Sequence, residues 1–259
     1  MLQSAIRVQP VPFTPSLVRT NGAGPATRPG VACSTCCLQG VCLPCDLAGI
    51  ELDRFDQIAT QKRRVARGAA LYRSGDEFEA LYAVRSGGFK SVGVSRLGDE
   101  KITGFHLPGE LMGLEAISPG RHGYNSVALE DSEVCAIPFA ALERMALAVP
   151  SLQHQLLRVV SGDISRDHGL MLLLGRMTAE QRLAAFLLSL SRRYERLGFA
   201  ANRFVLRMTR EEIGNYLGLT LETVSRVLSR FQREALVHVQ QRDIELKNAT
   251  ALRDLVGHW

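Results

Sequence analysis

Five of the six cysteines in this 259-residue chain fall within thirteen residues, close enough for their sulfur atoms to surround one metal centre. This group comprises Cys33, Cys36, Cys37, Cys42 and Cys45, whereas Cys135 stands alone. In a reducing cytosol, clustered cysteines are more typical of metal or redox chemistry than of a disulfide framework. The spacing Cys33-x2-Cys36-x5-Cys42 supplies three thiolates for a tetranuclear iron–sulfur cluster, which requires a fourth ligand from elsewhere.

Two cysteines are candidates for the fourth ligand, and the spacing alone leaves the choice open. Cys45 completes a second C-x2-C pair with Cys42, so a mononuclear zinc site with four thiolate ligands is one alternative, although its five-residue spacer is short. Cys135 would instead tie the cysteine segment to a distant apolar strand. A single cysteine on such a strand is otherwise an inert core residue.

The C-terminal region contains two short helical patterns typical of a helix-turn-helix motif. Thr209 followed by Glu212 predicts a capping box that opens the first helix, and Gly218 supplies the turn after it. Thr220 is placed to cap a second helix that runs to about Phe231. The predicted inward face of this helix comprises Val224, Val227, Leu228 and Phe231. A capped helix, a turn and a second helix with a polar outer face predict DNA binding.

The outer face of the second helix carries side chains that suit base recognition in a major groove. Arg226 can donate two hydrogen bonds to guanine, Glu222 can accept one from cytosine, and Ser225 suits several bases. The alternative is a surface ion pair between Glu222 and Arg226. Candidates for phosphate contacts, which position without reading sequence, are Arg210, Arg230, Arg233 and Arg242. The segment HVQQRDIELKN that follows resembles the β-hairpin of a winged helix.

Charge and composition restrict the class of protein. The net charge of +5 lies entirely in residues 176–259, where 14 basic residues stand against 9 acidic ones. This asymmetry predicts an anionic partner for the C-terminal third.

Hydrophobic residues make up 46% and charged residues 22%, as in soluble globular proteins. Neither an apolar stretch of about 18 residues nor a secretory signal is evident, so the sequence predicts a cytoplasmic location without a membrane partner.

The elements that must position these residues follow from periodicity. An N-terminal flexible arm, a cysteine segment, a β domain, a long helix and a DNA-binding domain are predicted with bounds 1–30, 31–49, 50–149, 150–176 and 177–259. Helical spacing opens the third region over Ile50–Ala66. Short apolar runs between glycine turns then continue to Phe139, which is typical of a β-sandwich or jelly roll. The fold class is therefore α+β.

The long helix carries a seam with alternating spacings of three and four residues, as in a coiled coil. The seam comprises Leu157, Val160, Ile164, Asp167, Met171 and Leu174. It predicts a homodimer, and packing within a single domain is the alternative. Asp167 would face its symmetry mate, and two like charges oppose association unless a raised pKa or a partner compensates. Such a seam is poised between monomer and dimer.

Taken together, these segments resemble the fumarate and nitrate reduction regulator (FNR) branch of the cAMP receptor protein superfamily. The resemblance runs from about Cys33 to the C-terminus, and is carried by CSTCCLQGVC, LYAVRSG, DEKITGFHLPGELMG, EVCAIPF, RLAAFLLSLSRR and MTREEIGNYLGLTLETVSR. It implies an N-terminal β-roll sensory domain, a long dimerisation helix and a C-terminal winged helix-turn-helix. It also implies a transcription regulator rather than an enzyme.

The resemblance further implies roles for individual residues. The ligands of one [4Fe–4S] cluster per subunit fall on Cys33, Cys36, Cys42 and Cys135, so that Cys37 and Cys45 are unassigned. The base-reading residues fall on Glu222, Ser225 and Arg226, and the dimer-interface aspartate falls on Asp167. The implied function is an oxygen-responsive global regulator of anaerobic-metabolism genes. It would bind double-stranded DNA at a palindromic TTGAT-like operator and contact RNA polymerase, with the loop Arg85–Phe89 as a candidate surface.

The superfamily's cyclic nucleotide site is altered in this sequence. Its ribose-holding glutamate falls on Leu114 and its phosphate-holding Arg-Ser pair on His122-Gly123, so a cyclic nucleotide is not expected as effector. A zinc-stapled or nucleotide-responsive regulator with the same DNA-binding domain is a rival hypothesis. An enzyme, perhaps a thiol oxidoreductase using Cys33-x2-Cys36, is another, but the βαβ context that such a motif requires is not predicted.

Overall fold

The computed structural model describes residues 32–59 and 61–257, so the arm predicted for residues 1–30 lies outside the described part. The helices are α1 Ile50–Ile58, α2 Phe139–Ala148, α3 Pro150–Arg176, α4 Ala179–Arg196, α5 Arg210–Leu217, α6 Leu221–Arg233 and α7 Ala249–Val256. The strands are β1 Gln61–Val65, β2 Ala70–Tyr72, β3 Ala80–Ser86, β4 Phe89–Val94, β5 Glu100–His106, β6 Leu111–Met112, β7 Asn125–Ala128, β8 Ser132–Pro138, β9 Arg203–Val205, β10 Val237–Gln240 and β11 Asp243–Leu246.

The first eight strands form two antiparallel sheets of four strands, ordered β1-β8-β3-β6 and β2-β7-β4-β5. The first five residues of strand β3 are all buried. Because alternate side chains of a strand point to opposite sides of the sheet, both faces of β3 are covered there. Tyr82 and Val84 face the core between the sheets, whereas Leu81 and Ala83 pack toward α1 and α2. The predicted β-roll is confirmed.

The helical spacing over Ile50–Ala66 was a wrong prediction beyond Ile58. Helix α1 ends there, and β1 begins at Gln61 and pairs with β8 in antiparallel register. The apolar residues that suggested a continuous helix are Leu52, Phe55 and Ile58, all of which lie in the helical part. Beyond them the segment supplies an edge strand to the sheet, a tertiary contact that local periodicity does not report.

The C-terminal part combines α4–α7 with a small sheet ordered β10-β11-β9. The wing predicted from HVQQRDIELKN is confirmed as the hairpin of β10 and β11, to which β9 adds a third strand. Helix α4 is opened by a capping box at Thr178. No helix within residues 32–59 and 61–257 has the length and apolar character to cross a bilayer.

One hydrophobic core joins the β-roll to the C-terminal part. Val92, Ile102 and Phe105 of the β4–β5 hairpin belong to the same buried cluster as the core of α4, α5 and α6. The Phe105 ring lies 6.0 Å from that of Phe186 and 5.1 Å from that of Tyr216, measured between centroids. The two parts therefore pack through side chains as well as through the chain connection.

Candidate metal centre and nucleic-acid interface

Four of the six cysteines line a single small cavity between the cysteine segment and the β-roll. They are Cys33, Cys36, Cys42 and Cys135, and the rest of the wall is mainly apolar, including Phe55, Ala83 and Ile137. Three of these cysteines lie on a short stretch of turns, and the fourth lies on β8, about a hundred residues later. The four thiols that the resemblance selects are thus brought together.

The cysteine segment is held in place by contacts on both sides of its thiols. Leu43 and Leu47 are buried in the core formed with α1, α2 and the start of α3. At the other end, the backbone N–H of Cys33 donates a hydrogen bond to the carboxylate of Asp56 on α1. Cys135 is fixed by the sheet, because β8 lies between β1 and β3. Sequence reasoning missed Asp56 and the two leucines, whose roles depend on contacts between elements.

The two unassigned cysteines lie apart from this cavity. Cys37 is exposed. Cys45 lines a different cavity, beside the arginine side chain of Arg158 on α3. Neither is among the residues that line the four-thiol cavity, although the backbone N–H of Cys45 donates a 3.1 Å hydrogen bond to the carbonyl of Cys42.

Burial raises the pKa of three of the four thiols that line this cavity. It raises the pKa of Cys33, with the neighbouring carboxylate of Asp56 adding to the effect. It raises the pKa of Cys42 to about 12 and also raises the pKa of Cys135. A metal or iron–sulfur centre held by these residues would require them as thiolates, so its assembly would release protons. Within residues 32–59 and 61–257, no three potential donors are close enough to share a single metal ion.

The predicted helix-turn-helix is confirmed in detail. The Thr209 hydroxyl accepts a hydrogen bond from the backbone N–H of Glu212, whose carboxylate accepts one from the N–H of Thr209, at 3.1 and 2.7 Å. Gly218 ends α5 with a φ of 65°, a left-handed conformation that glycine adopts without strain. Thr220 caps α6. The buried face of α6 comprises Val224, Val227, Leu228 and Phe231, as predicted.

The outer face of α6 projects away from this core. Glu222 and Arg226 are exposed, and Ser225 is half-buried beside Arg210, whose guanidinium donates a 3.3 Å hydrogen bond to its hydroxyl. Among the candidate phosphate contacts, Arg230 forms ion pairs with Glu234 and Glu180, at 2.8 and 3.4 Å. Arg210 and Arg233 are exposed. The base-reading and phosphate-binding roles of these residues stay predictions.

Three of the five apolar residues of the predicted seam are exposed on α3, whereas Val160 and Leu174 are half-buried and Leu174 packs against the core of its own chain. The exposed fractions of Leu157, Ile164 and Met171 are 61%, 50% and 61%, values too high for residues that pack within their own chain. Asp167 is exposed on the same helix, and partial burial together with Asp163 raises its pKa. A single chain therefore leaves an apolar stripe with a carboxylate in it uncovered.

Ion pairs that no sequence motif predicted hold the β-roll against the C-terminal part. Arg193 on α4 binds the Glu110 carboxylate through two of its nitrogens, at 2.8 and 2.6 Å. Lys90 on β4 contacts Glu212, which completes the capping box of α5, at 2.8 Å. Burial by itself would raise the pKa of Glu110, but the Arg193 guanidinium outweighs it and holds that pKa below its usual value. Two ion pairs therefore connect the β-roll with the C-terminal part.

His106 makes this interface sensitive to acid. Its ring accepts or donates a 2.8 Å hydrogen bond with the Ser91 hydroxyl, and burial lowers its pKa to about 4. Because the unfolded chain has a histidine pKa of about 6.5, it binds the proton first, and stability falls as pH falls from 7 toward 4. We expect a loss of about 2 kcal/mol in the free energy of unfolding between pH 7 and 5.

Urea titrations of the wild-type chain and of His106→Gln at pH 7, 6 and 5 measure this loss. The variant removes the titrating ring. Its free energy of unfolding should therefore fall by about 2 kcal/mol less than that of the wild-type chain between pH 7 and 5. Four charged residues lie near the ring and are retained in the variant: Glu110, Asp163, Arg166 and Arg193. Parallel pH profiles for the two proteins would show that His106 is not the acid-sensitive group.

At the altered cyclic nucleotide site, His122 is buried against neighbouring side chains. His122 is only 3% exposed, and its ring stacks on that of Tyr72 with centroids 3.7 Å apart. Its Nδ1 lies 3.2 Å from the carboxylate of Glu115. Leu114 lies in a short 3-10 turn. An aromatic stack thus stands where the resemblance places the phosphate-binding pair.

A β-roll, a long helix with an uncovered apolar stripe and a winged helix-turn-helix together define a DNA-binding transcription regulator with a sensory domain. The chain is 45% identical to the fumarate and nitrate reduction regulatory protein of Escherichia coli, over 88% of this chain and 91% of that protein. It is 46% identical to the transcriptional regulatory protein btr of Bordetella pertussis, over 90% and 96%. The chain belongs to the FNR branch of the cAMP receptor protein superfamily, and its relatives are transcription regulators rather than enzymes.

Domain families and solved structures agree with this assignment. Residues 62–148 match the cyclic nucleotide-binding domain family and residues 181–255 match the Crp-like helix-turn-helix domain family. The structure of FixK2 from Bradyrhizobium japonicum is similar with a TM-score of 0.71 and 33% identity, over 77% of this chain and 98% of that one. A CRP-family regulator from Thermus thermophilus, 24% identical, shares the fold with a TM-score of 0.60 over 76% and 97%.

Proposed function

We propose that this protein is an oxygen-responsive global regulator that carries one [4Fe–4S] cluster per subunit on Cys33, Cys36, Cys42 and Cys135. The observation that carries the proposal is the convergence of these four thiols on one apolar-walled cavity. The donor set fits the group, because four cysteine ligands are what such a cluster requires. When bound, the cluster supplies an oxygen-labile link between the cysteine segment and the β-roll.

The cysteine segment is in direct contact with the long helix, which gives a route from the cavity to the dimer seam. Asp46 accepts a 3.1 Å ion-paired hydrogen bond from Arg158 of α3. Leu43 and Leu47 pack in the same core as Leu152 at the start of that helix. A change in the order of the segment would therefore alter the support of α3. We infer that the ordered segment favours the helix position in which two subunits pair.

The homodimer would bind double-stranded DNA at a palindromic operator with TTGAT-like half-sites, one α6 helix per half-site. Anaerobic-metabolism genes would be activated or repressed in the cytoplasm, through RNA polymerase contacts that include the loop Arg85–Phe89. A cyclic nucleotide is not proposed as effector. The His122–Tyr72 stack supports this, because it offers no guanidinium for a cyclic phosphate.

Elemental analysis of protein purified without oxygen tests the proposal. We expect about four irons and four sulfides per chain, with a visible absorption that bleaches when air enters. About one zinc per chain in a colourless, air-stable protein would overturn the cluster and favour the all-thiolate zinc alternative. That outcome would leave the DNA-binding assignment intact.

Replacing Asp167 with alanine is expected to strengthen dimerisation in the presence of air. The substitution removes two like charges that face each other across the seam, so the monomer–dimer dissociation constant should fall roughly tenfold. Analytical ultracentrifugation of the cluster-free protein measures it. Asp254→Ala, which removes the same charge from an exposed position on α7, is the matched control. An equal effect of both substitutions would place Asp167 away from the interface.

A further inference from the structure

A second cavity, of about 440 Å³, lies where four parts of the fold meet. One wall comes from the cysteine segment at Gly40, Val41 and Cys45, and another from the β-roll at residues 108–111. Helix α3 and the last turn of α4 close the other sides. The volume falls in the range of small-molecule sites, roughly 300–1,000 Å³. It is separate from the four-thiol cavity and from the altered cyclic nucleotide site.

The charge of this cavity is strongly unbalanced. Four arginines line it against one carboxylate, that of Glu110. The four are Arg158, Arg166, Arg193 and Arg196. Arg193 and Glu110 satisfy each other in their bidentate pair, which leaves three guanidinium groups for the cavity.

The remaining three arginines retain access to a ligand. The carboxylates that contact Arg158 and Arg166, those of Asp46 and Asp163, are not among the residues lining the cavity. Arg196 reaches the Glu110 carboxylate only at 4.0 Å. The side chains of Arg158 and Arg196 are 60% and 65% exposed, so their donors can turn toward a bound anion.

The cavity would stay open if two chains paired through the predicted seam. On α3 its lining residues include Gln155, Val159, Gly162 and Arg166, which repeat at spacings of four and three. At about 100° per residue, these positions lie on the side of the helix opposite Leu157, Ile164 and Met171. A partner chain on the seam would not cover them.

We propose that this cavity binds a small polyanion, a phosphorylated or polycarboxylate molecule, through Arg158, Arg166 and Arg196. Guanidinium groups form paired hydrogen bonds with both phosphate and carboxylate oxygens, and several converge here in a half-enclosed space. A multivalent anion would offer several acceptor oxygens that these guanidinium groups could share. The ligand would contact the cysteine segment, the β-roll, α3 and α4 at once.

Such a ligand would be coupled to the order of the cysteine segment. Gly109 has a φ of +85°, and a Cβ there would lie 2.9 Å from a methyl carbon of Val41, so the segment sits directly against this corner of the β-roll. A molecule that binds only the assembled cavity stabilises the arrangement in which all four walls are in place. The site therefore offers a second input, chemically distinct from oxygen.

Thermal unfolding and calorimetric titration of the full chain with inorganic pyrophosphate, and separately with citrate, test the proposal. We expect saturable binding of at least one anion and a rise in Tm of roughly 2–5 °C. Stronger binding of pyrophosphate would identify phosphate chemistry, and stronger binding of citrate would identify carboxylate chemistry. Absence of saturable binding by both would overturn the proposal.

Two variants separate the cavity from general electrostatics. Arg158→Gln with Arg196→Gln should weaken binding by roughly tenfold or more, because two of the three donors are lost. Arg192→Gln removes the same type of charge from an exposed position on α4 outside the cavity, and should leave the affinity unchanged. If Arg192→Gln, which removes only one charge, weakens binding as much as the double substitution does, the anion is bound by overall charge rather than by this cavity.

Discussion

Replacing Cys135 with serine is expected to reduce the iron content of anaerobically purified protein from about four atoms per chain to nearly none. Cys135 supplies the only thiol of the cavity that comes from the β-roll, as the other three lie in the cysteine segment. A serine hydroxyl is a poor ligand for iron, so the remaining three thiols would hold a cluster only weakly. Iron and sulfide analysis with a visible spectrum, all without oxygen, measures the loss.

Cys45→Ser is the matched control for this experiment. It makes the same change of sulfur to oxygen within the cysteine segment, but at a thiol that lines the other cavity. The iron content should then stay near the wild-type value. The opposite pattern, with iron lost from Cys45→Ser and kept in Cys135→Ser, would mean that the fourth ligand is local. Loss of metal from both variants would require a different ligand set.

Much of the architecture was predictable because its signals are local. Glycine turns near ten-residue intervals predicted the β-roll, and a capping box followed by Gly218 predicted the helix-turn-helix. The start of α3 at Pro150 also follows from local chemistry, since proline suits the first turn of a helix. The wrong prediction over Ile50–Ala66 also came from reading local signals alone. The second half of that segment forms strand β1 by pairing with β8, which lies far along the chain.

The candidate site was likewise predictable from the sequence only where its signal is local. The thiol spacing Cys33-x2-Cys36-x5-Cys42 is readable from the sequence, but the choice between Cys45 and Cys135 depended on resemblance. The structure adds one observation that bears on the choice: Cys135 on β8 lines the same cavity as Cys42, whereas Cys45 lines a different one. The pair Arg193–Glu110 was beyond sequence reasoning, as its partners are 83 residues apart and no spacing links them.

Replacing Arg226 with alanine is expected to weaken operator binding by about 1–3 kcal/mol, or roughly 5- to 150-fold in Kd. The exposed guanidinium on α6 can form two hydrogen bonds with one guanine, and no smaller side chain on that face replaces both. The loss should be confined to operators that carry the preferred base pair. Fluorescence anisotropy of the anaerobic protein with a TTGAT palindrome, and with single-base variants of each half-site position, measures it.

Arg233→Ala separates base reading from phosphate contact in the same assay. As a phosphate candidate, Arg233 should contribute equally to every sequence, so its loss should weaken all duplexes alike and lower the salt dependence of binding. Arg226→Ala should instead flatten the preference at one position in each half-site while the preference at the others persists. If Arg226→Ala weakens every duplex by the same factor, then Arg226 holds the backbone and the base specificity must come from Glu222, Ser225 or the shape of the DNA.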